Sequence, residues 1–184
     1  MDVLVTGFAP WGSNRSNPSA QVARKLGGHV LPVHWSRASR RLQTLLRREK
    51  PKAILLLGLG SGRQRIELEA VALNVDHCEA SAWRRRRRPI RKGGALALPS
   101  RLPLDRLLRA LRSAGIPAGL SHHAGTFLCN HVFYLALSET RVPCGFIHLP
   151  PTKVLALEDQ VRAVGSVLDV LRGRRSGAGK RSRP

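Results

Sequence analysis

Cys129 lies in the segment Ser121-His-His-Ala-Gly-Thr-Phe-Leu-Cys-Asn-His-Val-Phe-Tyr134, and a strand's length later comes Gly145-Phe-Ile-His-Leu-Pro150. A thiol acts as a nucleophile when a base lies within reach and a third group holds that base in place. Ala124 and Gly125 are small enough for a tight turn, and residues 127–137 read as a helix, which puts Cys129 in its first turn. Unpaired amides and the positive end of the helix dipole favour a thiolate there and can bind a developing oxyanion. His148 follows the apolar run 144–147, which reads as a buried strand, so its imidazole is expected at the strand's carboxyl end. Ligand sites of open α/β sheets gather at that edge. For the third group, Arg65-Ile-Glu-Leu-Glu-Ala70 places Glu67 and Glu69 on one face of an extended segment, opposite Ile66 and Leu68. Either carboxylate fits. By spacing alone the signal is weak, because a buried free cysteine is most often an inert small hydrophobe.

The elements that would position these groups alternate along the chain. Residues 2–6 read as a buried strand, and Asn17-Pro-Ser-Ala opens a helix through Leu26 with Pro18 in its first position. Residues 29–35 read as a second strand, and Ala38, Leu42, Leu45 and Leu46 stripe a basic helix ending near Glu49. Residues 53–57 form a continuous apolar strand running into Gly58-Leu-Gly-Ser-Gly62, a tight turn without the Lys-Ser/Thr of a phosphate loop. Residues 66–75 are mixed and extended, 78–92 a basic loop, 103–114 a helix stopped by Gly115 and Pro117, and 154–172 a last amphipathic helix. Strands buried on both faces and alternating with helices imply a single-domain, three-layer α/β/α sandwich around a mostly parallel, open, twisted sheet. The domain is expected over residues 1–172, followed by a basic, disordered tail at 173–184.

Composition narrows the function classes. A chain of 184 residues with 42% apolar content can bury one core without disulfides, and its three cysteines, Cys78, Cys129 and Cys144, are odd in number and irregularly spaced. That fits a reducing, cytoplasmic setting. The amino-terminal residues show no secretory signal pattern, and no apolar run reaches the roughly 18 residues of a membrane span. Thirty-two Lys and Arg against eleven Asp and Glu give a net charge of +21. Such an excess predicts non-specific attraction to nucleic acid or anionic surfaces. However, the basic runs lack interleaved aromatics for base stacking, and arginine-rich helix faces and tails need no dedicated partner. His122, His123, Cys129 and His131 fit no structural zinc spacing, so no metal or other cofactor is expected. Asp76 and His77 could pair, although on a loop they read as solvated.

Several segments together resemble the pyroglutamyl peptidase I family of cysteine peptidases, also called pyrrolidone-carboxylate peptidases. They are Val3-Leu-Val-Thr-Gly-Phe-Ala-Pro-Trp-Gly12, Asn17-Pro-Ser19, Gly62-Arg63 with Ile66, Glu69-Ala-Val-Ala-Leu-Asn74, Ala124-Gly-Thr-Phe-Leu-Cys-Asn130 with Phe133-Tyr134, and Gly145-Phe-Ile-His-Leu-Pro150. The resemblance implies an open α/β sandwich and removal of an N-terminal pyroglutamyl residue from peptides by a catalytic triad of Cys129, His148 and Glu69. It further implies that Phe8 and Trp11 hold the flat lactam ring, that Asn17 lies near the ring's polar edge, and that homo-oligomers form. Against the family pattern, Glu79 stands where an active-site arginine is usual, Leu59 where glutamine is frequent, Ala9 for an acidic residue and Ser13 for a loop glycine. Glu79, Leu59 and the altered loop leave the expectation of a weakened relative with another acyl specificity, and the net charge, Arg84 to Arg88 and the basic tail leave that of a basic nucleic-acid-associated binding protein.

Overall fold

The computed structural model describes residues 2–12, 16–76 and 88–174. Ser13, Glu79, Arg84 and the tail beyond residue 174 lie outside the described residues. In chain order the elements are β1 (Val3–Phe8), α1 (Pro18–Lys25), β2 (His29–Leu31), α2 (Trp35–Glu49), β3 (Ala53–Leu59), β4 (Ile66–Glu69), β5 (Val71–Leu73), β6 (Ala97–Pro99), α3 (Leu104–Ser113), β7 (Ala118–Ser121), α4 (Leu128–Glu139), β8 (Cys144–Leu149) and α5 (Leu157–Leu171). Six strands form one sheet in the order β2-β1-β3-β8-β4-β7, and β5 pairs with β6 in a small second sheet.

Side-chain alternation divides the core in two. Leu55 and Leu57 of β3, Ile147 and Leu149 of β8, and Ile66 and Leu68 of β4 join one buried cluster with residues of α1, α3 and α5. Ile54 and Leu56 of β3 and Cys144 and Phe146 of β8 join the other, under α2 and α4. A sheet with helices on both faces needs apolar residues at every strand position, which is why β3 and β8 show no polar alternation. The same parity puts Gly58, His148, Glu67 and Glu69 on the α4 face.

Three details differ from the sequence reading. The second strand ends at Leu31 instead of running through Trp35, because Pro32 has no amide to give the ladder and Trp35 already opens α2. The sheet is mixed: β8 runs parallel to β3, but β4 pairs antiparallel with β8 and carries β7 parallel to itself. The extended stretch 66–75 is two strands in two sheets, and its partner β6 was not anticipated. The helix of Asn17 forms as expected, with Asn17 capping the Ser19 amide at 3.0 Å and Pro18 in the first turn.

Candidate active site

The turn before α4 requires Gly125, whose φ of 78° lies in the left-handed region. Cys129 is the second residue of α4, and the cap residue Phe127 offers no side-chain acceptor to the first-turn amides. Those N–H groups have no helical partner. The helix is then fixed at both ends by polar side chains. Asn130 is fully buried; its Oδ1 accepts from Leu73 N at 2.7 Å, and its Nδ2 donates to Leu73 O at 2.9 Å and Val75 O at 3.0 Å. At the other end the Arg101 guanidinium donates to the carbonyls of Leu137, Thr140 and Val142 at 3.0–3.1 Å, meeting the carboxyl end of the helix dipole.

Beneath Cys129 lies Gly58 of β3. A Cβ at that position would stand 2.8 Å from the Cys129 sulfur and 2.7 Å from the Phe146 ring, so only glycine admits the thiol here. Register places Gly58 beside His148, whose ring packs 4.8 Å from that of Phe146. His148 Nδ1 lies 2.6 Å from Oε1 of Glu69, which is completely buried. On its other side the Cys129 sulfur lies over Gly58, the ladder partner of His148. Burial disfavours the imidazolium, but the Cys129 sulfur and the Glu69 carboxylate outweigh it and raise the His148 pKa from 6.5 to about 9. Cys144 behaves oppositely: burial pushes its thiol up to about 12, against a smaller pull from Arg101, so it stays protonated.

Glu67 takes the alternative open to it. It forms an ion pair with Arg63 and lies 3.6 Å from Arg65, leaving Glu69 to the imidazole. Phe8, Trp11 and Asn17 line a small cavity together with Val33, Leu59, Phe127, Leu128 and Cys129. Phe8 is buried, whereas Trp11 is 45% exposed and tilts against Phe127 with ring centres 6.2 Å apart. The cavity is apolar apart from Asn17. That residue's oxygen accepts from the Ser19 amide and hydroxyl, and its nitrogen donates to Ala9 O at 3.3 Å. Asn17 therefore fastens the Phe8–Ala9 backbone while forming part of the wall. Val33 lies outside the segments singled out in the sequence and enters the wall through the fold.

The remaining candidates lie elsewhere. Asp76 pairs with His131 at 2.8 Å, not with His77, which is outside the described residues. The other nitrogen of His131 meets Ser39 Oγ at 2.7 Å, so that side chain is spent on tying α2 to α4. Among the described residues no three His, Cys, Asp or Glu side chains are grouped to hold a metal ion. Nor is any helix among them long and apolar enough to cross a membrane.

A family model described as "Pyroglutamyl peptidase" matches residues 1–170. The chain is 37% identical over 175 residues to a pyrrolidone-carboxylate peptidase of Deinococcus radiodurans, an alignment covering 84% of this chain and 80% of the relative. Its structure is similar to that of pyrrolidone carboxyl peptidase from Thermus thermophilus, with TM-score 0.83, 41% identity and coverage of 91% and 98% of the two chains. A mutant pyrrolidone carboxyl peptidase from P. furiosus aligns with TM-score 0.88 at 31% identity, covering 94% and 99%. A match over nearly the whole chain, with the same fold beneath it, establishes the relationship. The chain belongs to the pyroglutamyl peptidase family of cysteine-type omega-peptidases.

Proposed function

We propose that this protein removes an N-terminal pyroglutamyl residue from peptides, with Cys129 as nucleophile, His148 as acid and base, and Glu69 orienting the imidazole. The observation that carries the reading is His148, held by Glu69 at 2.6 Å and paired in the ladder with Gly58, over which lies the sulfur of Cys129, itself a lining residue of an apolar cavity. Transfer of the thiol proton to His148 gives a thiolate, which attacks the carbonyl linking pyroglutamate to the next residue. First-turn amides of α4, including that of Cys129, hold the oxyanion. His148 gives its proton to the leaving amine, then takes one from the water that cleaves the thioester, and Glu69 balances the imidazolium in both halves.

The lactam ring is flat and uncharged, so an apolar slot between Phe8, Trp11 and Phe127, with backbone groups at its polar edge, suits it. Asn17 serves that edge by holding Ala9 in place. None of these steps calls on a metal or a cofactor. A free thiol nucleophile works in a reducing compartment, so we place the protein in the cytoplasm.

The test is a pair of peptides identical except that one begins with pyroglutamate and the other with proline. Mass spectrometry should show the first shortened by its ring residue, the second intact, and both intact with Cys129→Ala. Shortening of both peptides, or of neither by a folded wild type, overturns the assignment.

A further inference from the structure

β4 presents two buried carboxylates to the same face, and the nearer one does not hold the imidazole. In the antiparallel ladder Glu67 is directly opposite His148, whereas Glu69 is opposite Phe146 and reaches His148 diagonally. Directly opposed side chains have Cβ atoms about 4.5–5.5 Å apart and diagonal ones stand further off, so proximity alone favours Glu67. What removes Glu67 is Arg63, in the turn between β3 and β4. One nitrogen of its guanidinium pairs with Glu67 Oε2, and the other lies 3.8 Å from Glu69 Oε1 and 3.5 Å from Ser121 Oγ. Arg63 N donates to Gly60 O at 2.9 Å, and Gly60, lacking a side chain, lets the arginine stem and the His148 Cβ approach from either side. Arg65 lies flat across Gly119 of β7 and approaches Glu67 from outside. The result is an alternation of charge, Arg65, Glu67, Arg63, Glu69, His148, that ends on Cys129.

We propose that Arg63 is a positioning residue: its ion pair with Glu67 draws that carboxylate away from the imidazole, so that Glu69 alone orients His148. The inference rests on the Cys129–His148–Glu69 reading. The charged and titratable groups that the described residues place around His148 are Cys129 from α4, Glu67 and Glu69 from β4, and Arg63 from the preceding turn, while β3 faces it with glycine. Removing Arg63 leaves a second, uncompensated anion opposite the imidazolium. His148 then holds its proton to higher pH and gives it less readily to a leaving amine. Removing Glu67 does the reverse, because Arg63 is freed to swing onto Glu69 and weaken its hold on His148.

The experiment follows the His148 ring-proton resonance against pH by NMR, assigned with His148→Gln, alongside the alkaline limb of kcat/KM. Relative to wild type, Arg63→Gln should move the titration up by about one pH unit and Glu67→Gln should move it down by about one. The double variant and Arg63→Lys should both titrate near wild type. Shifts of the same sign in the two single variants, or unchanged titrations with activity merely scaled, overturn the proposal. Should Arg63→Gln fail to fold, Glu67→Gln decides it: a titration that does not move down rejects the role. Because the resonance needs no substrate, a failure here is distinct from a failure of the peptidase assignment, which is read from wild-type turnover.

Discussion

His148 is buried, yet the Cys129 sulfur and the Glu69 carboxylate outweigh the cost of burying its charge and raise its pKa to about 9. As a general acid it should therefore serve up to that pH, and kcat/KM should fall as pH rises through about 9. A histidine whose folded pKa is raised contributes stability that is complete below its ordinary value. For His148 that contribution is present below 6.5 and lost as pH climbs through about 9, so the urea midpoint should decline over that window. Cys129→Ala removes the first of the two attractions, and its His148 should titrate lower than in wild type. Glu69→Gln keeps the shape but loses the charge, and should reduce kcat by about 100-fold or more in steady-state assays. Spacing alone gave only a weak signal for Cys129 and His148, and the flanking segments that resemble the family strengthened it. Alternation puts Glu67 and Glu69 on one face and left both open; the family resemblance alone pointed to Glu69, and in the structure an arginine in the neighbouring turn pairs with Glu67 while Glu69 meets the imidazole.

The elements act through the precision with which they bring α4 over the carboxyl end of the sheet. Asn130 binds the first turn of that helix to the Leu73–Val75 backbone, and replacing it with alanine leaves buried amide and carbonyl groups unpaired. Asn130→Ala should cost about 1–3 kcal/mol in chemical denaturation and lower kcat as Cys129 drifts. Gly58→Ala pushes a methyl into the space of the Cys129 sulfur and the Phe146 ring; it should slow iodoacetamide labelling of Cys129, read by peptide mass spectrometry. Helices of 10–15 residues with clear apolar stripes, α2, α3 and α5, were legible to within a few residues. The early end of β2 and the β5–β6 pair were not. A three-residue strand has too few positions to show a period, and partners such as Leu73 and Ala97 are far apart in sequence. Asn130 was unread for the same reason, since its bonds reach back to Leu73 and Val75.

At the scale of the whole molecule, one sheet is covered by α1, α3 and α5 on one face and by α2 and α4 on the other, and the site opens on the second face. Leu55 is completely buried against the first face, away from Cys129, so Leu55→Ala should cost about 2–5 kcal/mol of stability while leaving KM unchanged at temperatures where the protein is folded. The three-layer architecture could be read from strands apolar at every position. The reversed direction of β4 and β7 could not, because hydrophobic pattern records burial and carries no sense of direction. A net charge of +21 sets up a long-range positive field. It should give weak, sequence-independent retention on DNA that disappears between about 50 and 200 mM salt, without altering peptidase activity. The central proposal is that Cys129, in the wall of an apolar cavity and near a Glu69-held His148, cleaves after pyroglutamate. Release of fluorescent amine from pyroglutamyl-aminomethylcoumarin, by wild type and by Cys129→Ala purified identically, tests it most directly: turnover by wild type alone is the expected result, and silence from folded wild type, or equal turnover by both, contradicts it.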